Sequence, residues 1–224
     1  MSEAPQHTPS NGDRPNPETD PDALDRSVAT AAMRLAAEKG WNHVGLLQVA
    51  RAAGVPLSAF HRRYRGRADL LAAVSRVADA TVLAGDTPAD PAESPRDRLF
   101  DIMMRRFDAL RPFREGLRAV LRDLPGEPAT ALAFLCPFGR SMAWMLRGAG
   151  IDPDRRGGSA QVAALAAIQA RVLRVYLDDD SADLSRTMAA LDTELKRAER
   201  WAATFCRWGG KNFRTPEPST ASTG

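Results

Sequence analysis

The sequence predicts an all-α protein: a small helix-turn-helix head followed by a larger helical body. Three observations carry this. Apolar residues recur at three- and four-residue spacing through most of the chain. Two short apolar runs flank Gly54-Val55-Pro56, the grammar of two brief helices joined by a tight turn. Residues 85–95, GDTPADPAESP, combine prolines with acidic residues and no large apolar group, which marks a boundary between two helical regions.

Residues 1–22 are rich in Pro, Asn, Ser, Thr and Asp and read as a disordered tail. The domain of residues 23–84 opens with a stripe of Leu24, Val28, Ala31, Ala32 and Leu35, a helix with Asp22 as its expected N-cap and Gly40 as its stop. Gly54 is expected to take the left-handed conformation that ends the next helix, and Pro56 to open the one after it. No acidic residue occurs from Lys39 to Ala68, while Arg62, Arg63, Arg65 and Arg67 cluster behind the turn. So basic a run on short helices suits a surface that meets phosphates and base edges, with a solvated basic face as the alternative. Leu70, Leu71, Val74, Val77 and Ala78 continue as a long helix able to connect head and body.

Beyond the linker, residues 96–208 form the expected body. Leu99, Ile102, Met103, Phe107 and Leu110 make one stripe, and Phe113, Leu117, Val120, Leu121 and Leu124 a second. Residues 129–146 are strongly apolar, broken in pattern by Pro137 and Gly139, where a kink is expected. Residues 148–158, GAGIDPDRRGG, read as a loop; they lack the lysine of a phosphate loop. Val162, Leu165, Ile168, Val172, Leu173 and Tyr176 define another helix. Leu184, Met188, Leu191, Leu195 and Ala198 define a last one, with a seam of alternating four and three steps. Residues 209–224 read as a second disordered tail.

Residues 23–82, including AAMRLAAEKGWNHVGLLQVARAAGVPLSAFHRRYRGRADLLAAV, resemble the amino-terminal DNA-binding domain of the TetR family of transcriptional regulators. Ala36-Ala37-Glu38-Lys39-Gly40-Trp41 matches the end of the family's first helix. Val49-Ala50 and Ala53-Gly54-Val55 match the core of its motif, and Phe60 and Tyr64 its aromatic anchors. The resemblance implies a TetR-like two-domain fold, and double-stranded DNA as partner. It places Gly45, Leu57, Ser58, Ala59, His61, Arg62, Arg63, Arg65 and Arg67 at the DNA, with Arg67 on a backbone phosphate. Three positions depart from the family pattern. Gly45 stands where a capping Thr is usual, Pro56 where a Ser opens the reading helix, and His61 where a Tyr contacts phosphate.

The same resemblance implies a body that binds a small apolar or lipid ligand and a homodimer through the last two helices, which suits a palindromic operator; the alternative is that their stripes only complete the core of one chain. Met103, Phe107, Phe134, Phe138, Met142, Trp144 and Met145 are the candidate cavity residues, with plain core packing as the alternative. Residues 176–192, YLDDDSADLSRTMAALD, are similar to the carboxy-terminal region of the lipid-binding accessory protein of coenzyme Q biosynthesis, a family with a TetR-like fold. That likeness implies a lipid carrier docked on the membrane. Trp201, Phe205 and Trp208, ringed by basic residues, are the candidate membrane contacts. The local alternatives are a turn and N-cap at Ser181, and aromatics folded back onto the core.

Composition bounds the rest. With 224 residues, 44% hydrophobic, and a net charge of +3, the chain suits a globular protein with a sizeable core. Two cysteines, Cys136 and Cys206, do not make a disulfide scaffold. With no signal peptide or transmembrane span evident, a cytoplasmic protein is expected, with peripheral contact at the inner membrane under the lipid-carrier reading. His7, His43 and His61 join no carboxylate or cysteine at triad or metal spacing, so neither catalysis nor a cofactor or metal is expected.

Overall fold

The computed structural model describes residues 20–85 and 93–209, the last nine of them by their backbone alone. Among the described residues the chain is helical, with no strand. The order is α1 Pro21–Lys39, a 3-10 turn Trp41–His43, α2 Leu46–Ala52, α3 Leu57–Arg63, α4 Arg67–Ala84, α5 Pro95–Ala109, α6 Arg114–Asp123, α7 Pro128–Gly148, α8 Gly158–Leu177 and α9 Ser185–Gly209. The expected tails and most of the linker, residues 1–19, 86–92 and 210–224, lie outside the described residues.

The chain divides into two compact units, Met1–Ala166 and Ala167–Gly224. In the first, α1 packs on α4 and α6, and α4 packs on α5 and α7. Helix α1 begins two residues earlier than its sequence suggests. The side chain of Asp20, not Asp22, is the N-cap, accepting from the Asp22 N–H at 2.9 Å, because Pro21 has no N–H to lose at the first helical position. The helix buries Val28, Ala29, Ala31, Ala32, Met33 and Ala36, and Gly40 ends it at φ +86°. Trp41 then fills the head core, fully buried. Small residues on α1 let α6 approach closely. At Gly116 a side chain would collide with the Met33 backbone, so the α1–α6 contact depends on a glycine there.

Helix α7 continues through Pro137 and Gly139 as one element, Pro128–Gly148. The carbonyl that Pro137 leaves without a helical donor belongs to Ala133, which is exposed and can turn to water. Helices α7 and α8 are each long and apolar enough to cross a membrane by length and composition, with mean hydropathy 1.2, which departs from the expectation that no such span occurs. Each also has a buried face: Met142, Met145 and Leu146 on α7, Leu165, Ile168 and Val172 on α8.

In the second unit the turn between α8 and α9 is built on Asp179, which is fully buried. Its carboxylate accepts from the Ser181 N–H at 3.2 Å, the Thr187 N–H at 2.8 Å and the Thr187 hydroxyl at 2.7 Å. The Ser181 hydroxyl also bonds Asp179 and accepts from the Ser185 N–H at 3.1 Å, capping α9 as the local reading of this stretch expected. Leu184 takes φ +53° to complete the turn. These bonds account structurally for Asp179, Ser181 and Thr187 of the stretch that resembles the coenzyme Q accessory family. Burial alone would raise the Asp179 carboxyl, but the hydroxyls and N–H groups hold it well below the usual carboxylate range. A depressed folded-state value contributes stability above the unfolded carboxyl value, near about pH 4, and loses it as pH falls through the folded one. Urea melts of Asp179→Asn are therefore expected to show lower stability at neutral pH and a flatter decline below about pH 4 than the parent; parallel declines would refute the role.

Candidate nucleic-acid interface

The head is locked by one buried carboxylate. Asp25 sits on the packed face of α1 with 2% of its side chain exposed. Arg76 of α4 donates to it twice, at 2.7 Å from both Nε and Nη2, and Arg63 at the end of α3 donates from Nε at 3.0 Å and from Nη2. The Tyr64 hydroxyl adds a third donor side chain at 2.6 Å. One side chain thus ties α1, α3 and α4 together. Burial would raise the Asp25 carboxyl, but the bonds from Arg76, Arg63 and Tyr64 outweigh it and hold it below its ordinary value. The same burial, together with the Asp25 charge, pushes the Tyr64 phenol up.

Local chemistry shapes α2 and α3. Gly45 offers no side chain to cap α2, and the Gln48 amide oxygen reaches back to accept its N–H at 3.3 Å. Gly54 takes φ +66° in the turn, and Pro56 becomes the N-cap of α3, its carbonyl accepting from Phe60 at 2.9 Å. Phe60 and Tyr64 anchor α3 from beneath, 3% and 1% exposed, their rings 4.8 Å apart. With the aromatics inward, the opposite face points to solvent: Leu57 is 56% exposed, and Ser58, His61, Arg62 and Arg65 are exposed, with Ala59 half-buried beside them. The His61 Nδ1 lies 3.2 Å from the Leu57 carbonyl, so Nδ1–H donates within its own helix. Among the described residues Arg62 and Arg65 have no carboxylate partner, which suits both cations to an external anion.

The structure brings these predicted residues onto one surface but separates the roles of the arginines. Arg63 is held by Asp25, whereas Arg62 on the exposed α3 face has no such tie among the described residues. Arg67 is held too. It donates from Nε to the Val44 carbonyl at 3.1 Å, from Nη2 to the Asn42 carbonyl at 2.8 Å, and from Nη1 to Glu127. Each Nη keeps a second N–H for a phosphate. Glu127 stands at the start of α7, and Asp123 at the end of α6 accepts from the Asn42 N–H at 3.3 Å, so the turn before α2 is tied directly to the body. Sequence reasoning missed Asp25, Arg76, Gln48 and Glu127. Asp25 carried a signal: it shares the helical face of Val28 and Ala32, where an acid requires a buried partner.

Residues 29–74 match the profile of the family described as bacterial regulatory proteins, tetR family. The head is a TetR-type domain. The chain is similar in structure to a TetR transcriptional regulator from Nitrosomonas europaea ATCC 19718, at TM-score 0.60 and 20% identity, covering 80% of this chain and 99% of that one. It is also similar to a TetR transcriptional regulator from Rhodococcus sp. RHA1, at TM-score 0.51 and 20% identity, covering 77% and 96%. At such identity the likeness establishes the fold, a TetR-like head and body. No curated protein matches the chain.

The candidate ligand residues of the TetR-like body divide into three groups. Met103 and Phe107 of α5 and Met142 and Met145 of α7 are fully buried. Phe134 and Phe138 stack with centroids 5.4 Å apart and stay half-buried. Trp144 is 48% exposed, with the Arg147 guanidinium 5.1 Å from its ring, so it faces solvent and not the buried methionines. The side chains of Trp201, Phe205 and Trp208 lie outside the described residues. Among the described residues no group of His, Cys, Asp and Glu could hold a metal ion.

Proposed function

We propose that the chain is a TetR-type transcriptional regulator that binds duplex DNA as a homodimer and is controlled by an apolar ligand in its body. The observation that carries this is the outward face of α3: Leu57, Ser58, His61 and Arg62 exposed on a helix whose other face is fixed by Phe60, Tyr64 and the Asp25 cluster. A rigid short helix that presents one free arginine with small and polar neighbours fits a major groove, while Arg65 and the spare donors of Arg67 suit the flanking phosphates. Gly45 contributes its backbone at the start of α2.

The buried methionines and Phe107 supply an adaptable apolar lining for the ligand. The ties from Asn42 and Arg67 to Asp123 and Glu127 supply a route from body to head. A ligand acts only through a preference for one arrangement of the heads. The dimer is assigned to α8 and α9. Helix α8 leaves Ala160, Ala163, Ala164, Ala167 and Ala170 exposed, small side chains that allow another helix to approach closely.

The test separates the arginines. Removing a phosphate or base contact weakens binding and lowers the salt slope by about one counterion. Arg62→Ala is expected to weaken DNA binding about tenfold or more with an unchanged melting temperature. Arg63→Ala is expected to lower the melting temperature as well, because it takes a partner from Asp25. Equal DNA affinity and salt slope in Arg62→Ala and parent would remove α3 as the reader.

A further inference from the structure

Arg106 of α5 is 1% exposed, the largest charged side chain in the buried set. Its Nη1 donates to Asp79 of α4, whose same oxygen accepts from the Ser141 hydroxyl of α7 at 2.8 Å. The Nε–H is equally buried and reaches no acceptor among the described residues. A guanidinium offers five donors in a planar fork, and a single oxygen shared with a hydroxyl leaves that fork under-satisfied. An apolar side chain of similar volume would fill the space at lower cost, so the arginine is poorly explained by packing alone. Burial pushes the Arg106 guanidinium down, against the opposing pull of Asp79.

The surroundings suit an amphiphile. Met103 precedes Arg106 by one turn and Phe107 follows it, both fully buried. From α7, Met142 and Met145 are fully buried beside Ser141. Unbranched thioethers repack with little penalty, so this apolar set can open around a tail while the cation stays in place. A planar carboxylate matches the guanidinium fork and brings one charge, which Arg106 pairs as Asp79 gives way; a dianion would bring a second charge into an apolar interior.

We infer that Arg106 is the anion-recognition point of the body, and that its ligand is an apolar molecule ending in a single carboxylate. This rests on the reading of the body as a ligand domain. The ligand carboxylate takes the unused Nε–H and competes with Asp79 for the fork, which loosens the tie between α5 and α4. Helix α4 also carries Arg67 and Arg76, the two arginines that hold the head, so occupancy is felt at the DNA-binding face.

The experiment is calorimetric titration of the full chain with sodium dodecanoate and with dodecan-1-ol below their aggregation concentrations, with melting temperatures at each endpoint. Dodecanoate is expected to bind about tenfold tighter or more than the alcohol, the value of one charge-assisted contact. Arg106→Met should erase that gap and keep the affinity for the alcohol. Asp79→Asn, which removes the internal competitor, should tighten dodecanoate binding and show a larger rise in melting temperature on saturation than the parent. Equal binding of acid and alcohol by the parent, or an unaltered acid affinity in Asp79→Asn, overturns the role of Arg106 while leaving an apolar ligand in place. Binding of neither probe overturns both the carboxylate inference and the apolar-ligand reading beneath it.

Discussion

Asp25→Ala is expected to unfold the head at temperatures where the parent is stable, and to abolish DNA binding. The carboxylate is buried, and its removal leaves Arg63, Arg76 and the Tyr64 hydroxyl without their shared acceptor. Breaking a buried pair from one side costs about 3–5 kcal/mol, because the charge left behind is uncompensated. Arg63 and Arg76 keep 36% and 39% of their side chains exposed, so water can partly replace the lost acceptor. That places the expected loss near the lower end, about 3 kcal/mol. A loss of this size is a large share of the stability of a small domain. Urea unfolding followed by circular dichroism reads it directly. Asp25→Asn, which keeps the volume and one acceptor oxygen, should fall between the parent and Asp25→Ala. A change below about 1 kcal/mol in the alanine variant would show that the cluster does not hold the head.

Gly116→Ala is the second large effect, and it acts by addition. A Cβ at Gly116 would lie 2.4 Å from the Met33 carbonyl oxygen and 2.7 Å from the Met33 Cα. Both are backbone atoms, so no side-chain rotation relieves the collision. Helices α1 and α6 must separate, which uncovers Leu117 and Val120 on α6 and Met33 and Ala36 on α1. Overpacking of this kind costs about 1–3 kcal/mol, and the rigid target places this case at the upper end. Because α1 belongs to the head and α6 to the body, the substitution should also change DNA affinity. Gly126→Ala serves as the control: it lies close in sequence and has open space around its Cβ position. Equal melting temperatures for the two variants would contradict the α1–α6 packing.

Much of this was legible from the sequence because it depends on local rules. The alternation of apolar residues at helical spacing places α1, α4, α5, α6, α8 and α9. Gly40 and Gly54 mark the ends of α1 and α2 because a positive φ there favours a residue without Cβ. The exposed face of α3 follows from Phe60 and Tyr64 being the only large aromatics on that segment, which forces Arg62 outward. What escaped are the bonds made across long separations. Arg63 and Arg76 find Asp25 38 and 51 residues away, and Arg67 finds Glu127 60 residues away. A cluster of arginines in sequence looks like one basic patch, whereas folding assigns Arg63 and Arg67 to internal acceptors and leaves Arg62 and Arg65 for an external one. Arg106 was hidden for a related reason. A stripe read by apolar residues alone passes through Met103 and Phe107 and gives no sign that the charged residue between them is buried too.

The most direct test of the central claim is selection of duplexes from a random pool by the full-length chain, followed by affinity measurement on the enriched sequence across a range of salt concentrations. A dimeric reader predicts enrichment of an inverted repeat with half-sites about one helical turn apart, roughly 34 Å. It also predicts an affinity that falls linearly on a logarithmic salt scale. Failure to enrich any sequence, with no salt-dependent binding to duplex DNA, would contradict the account.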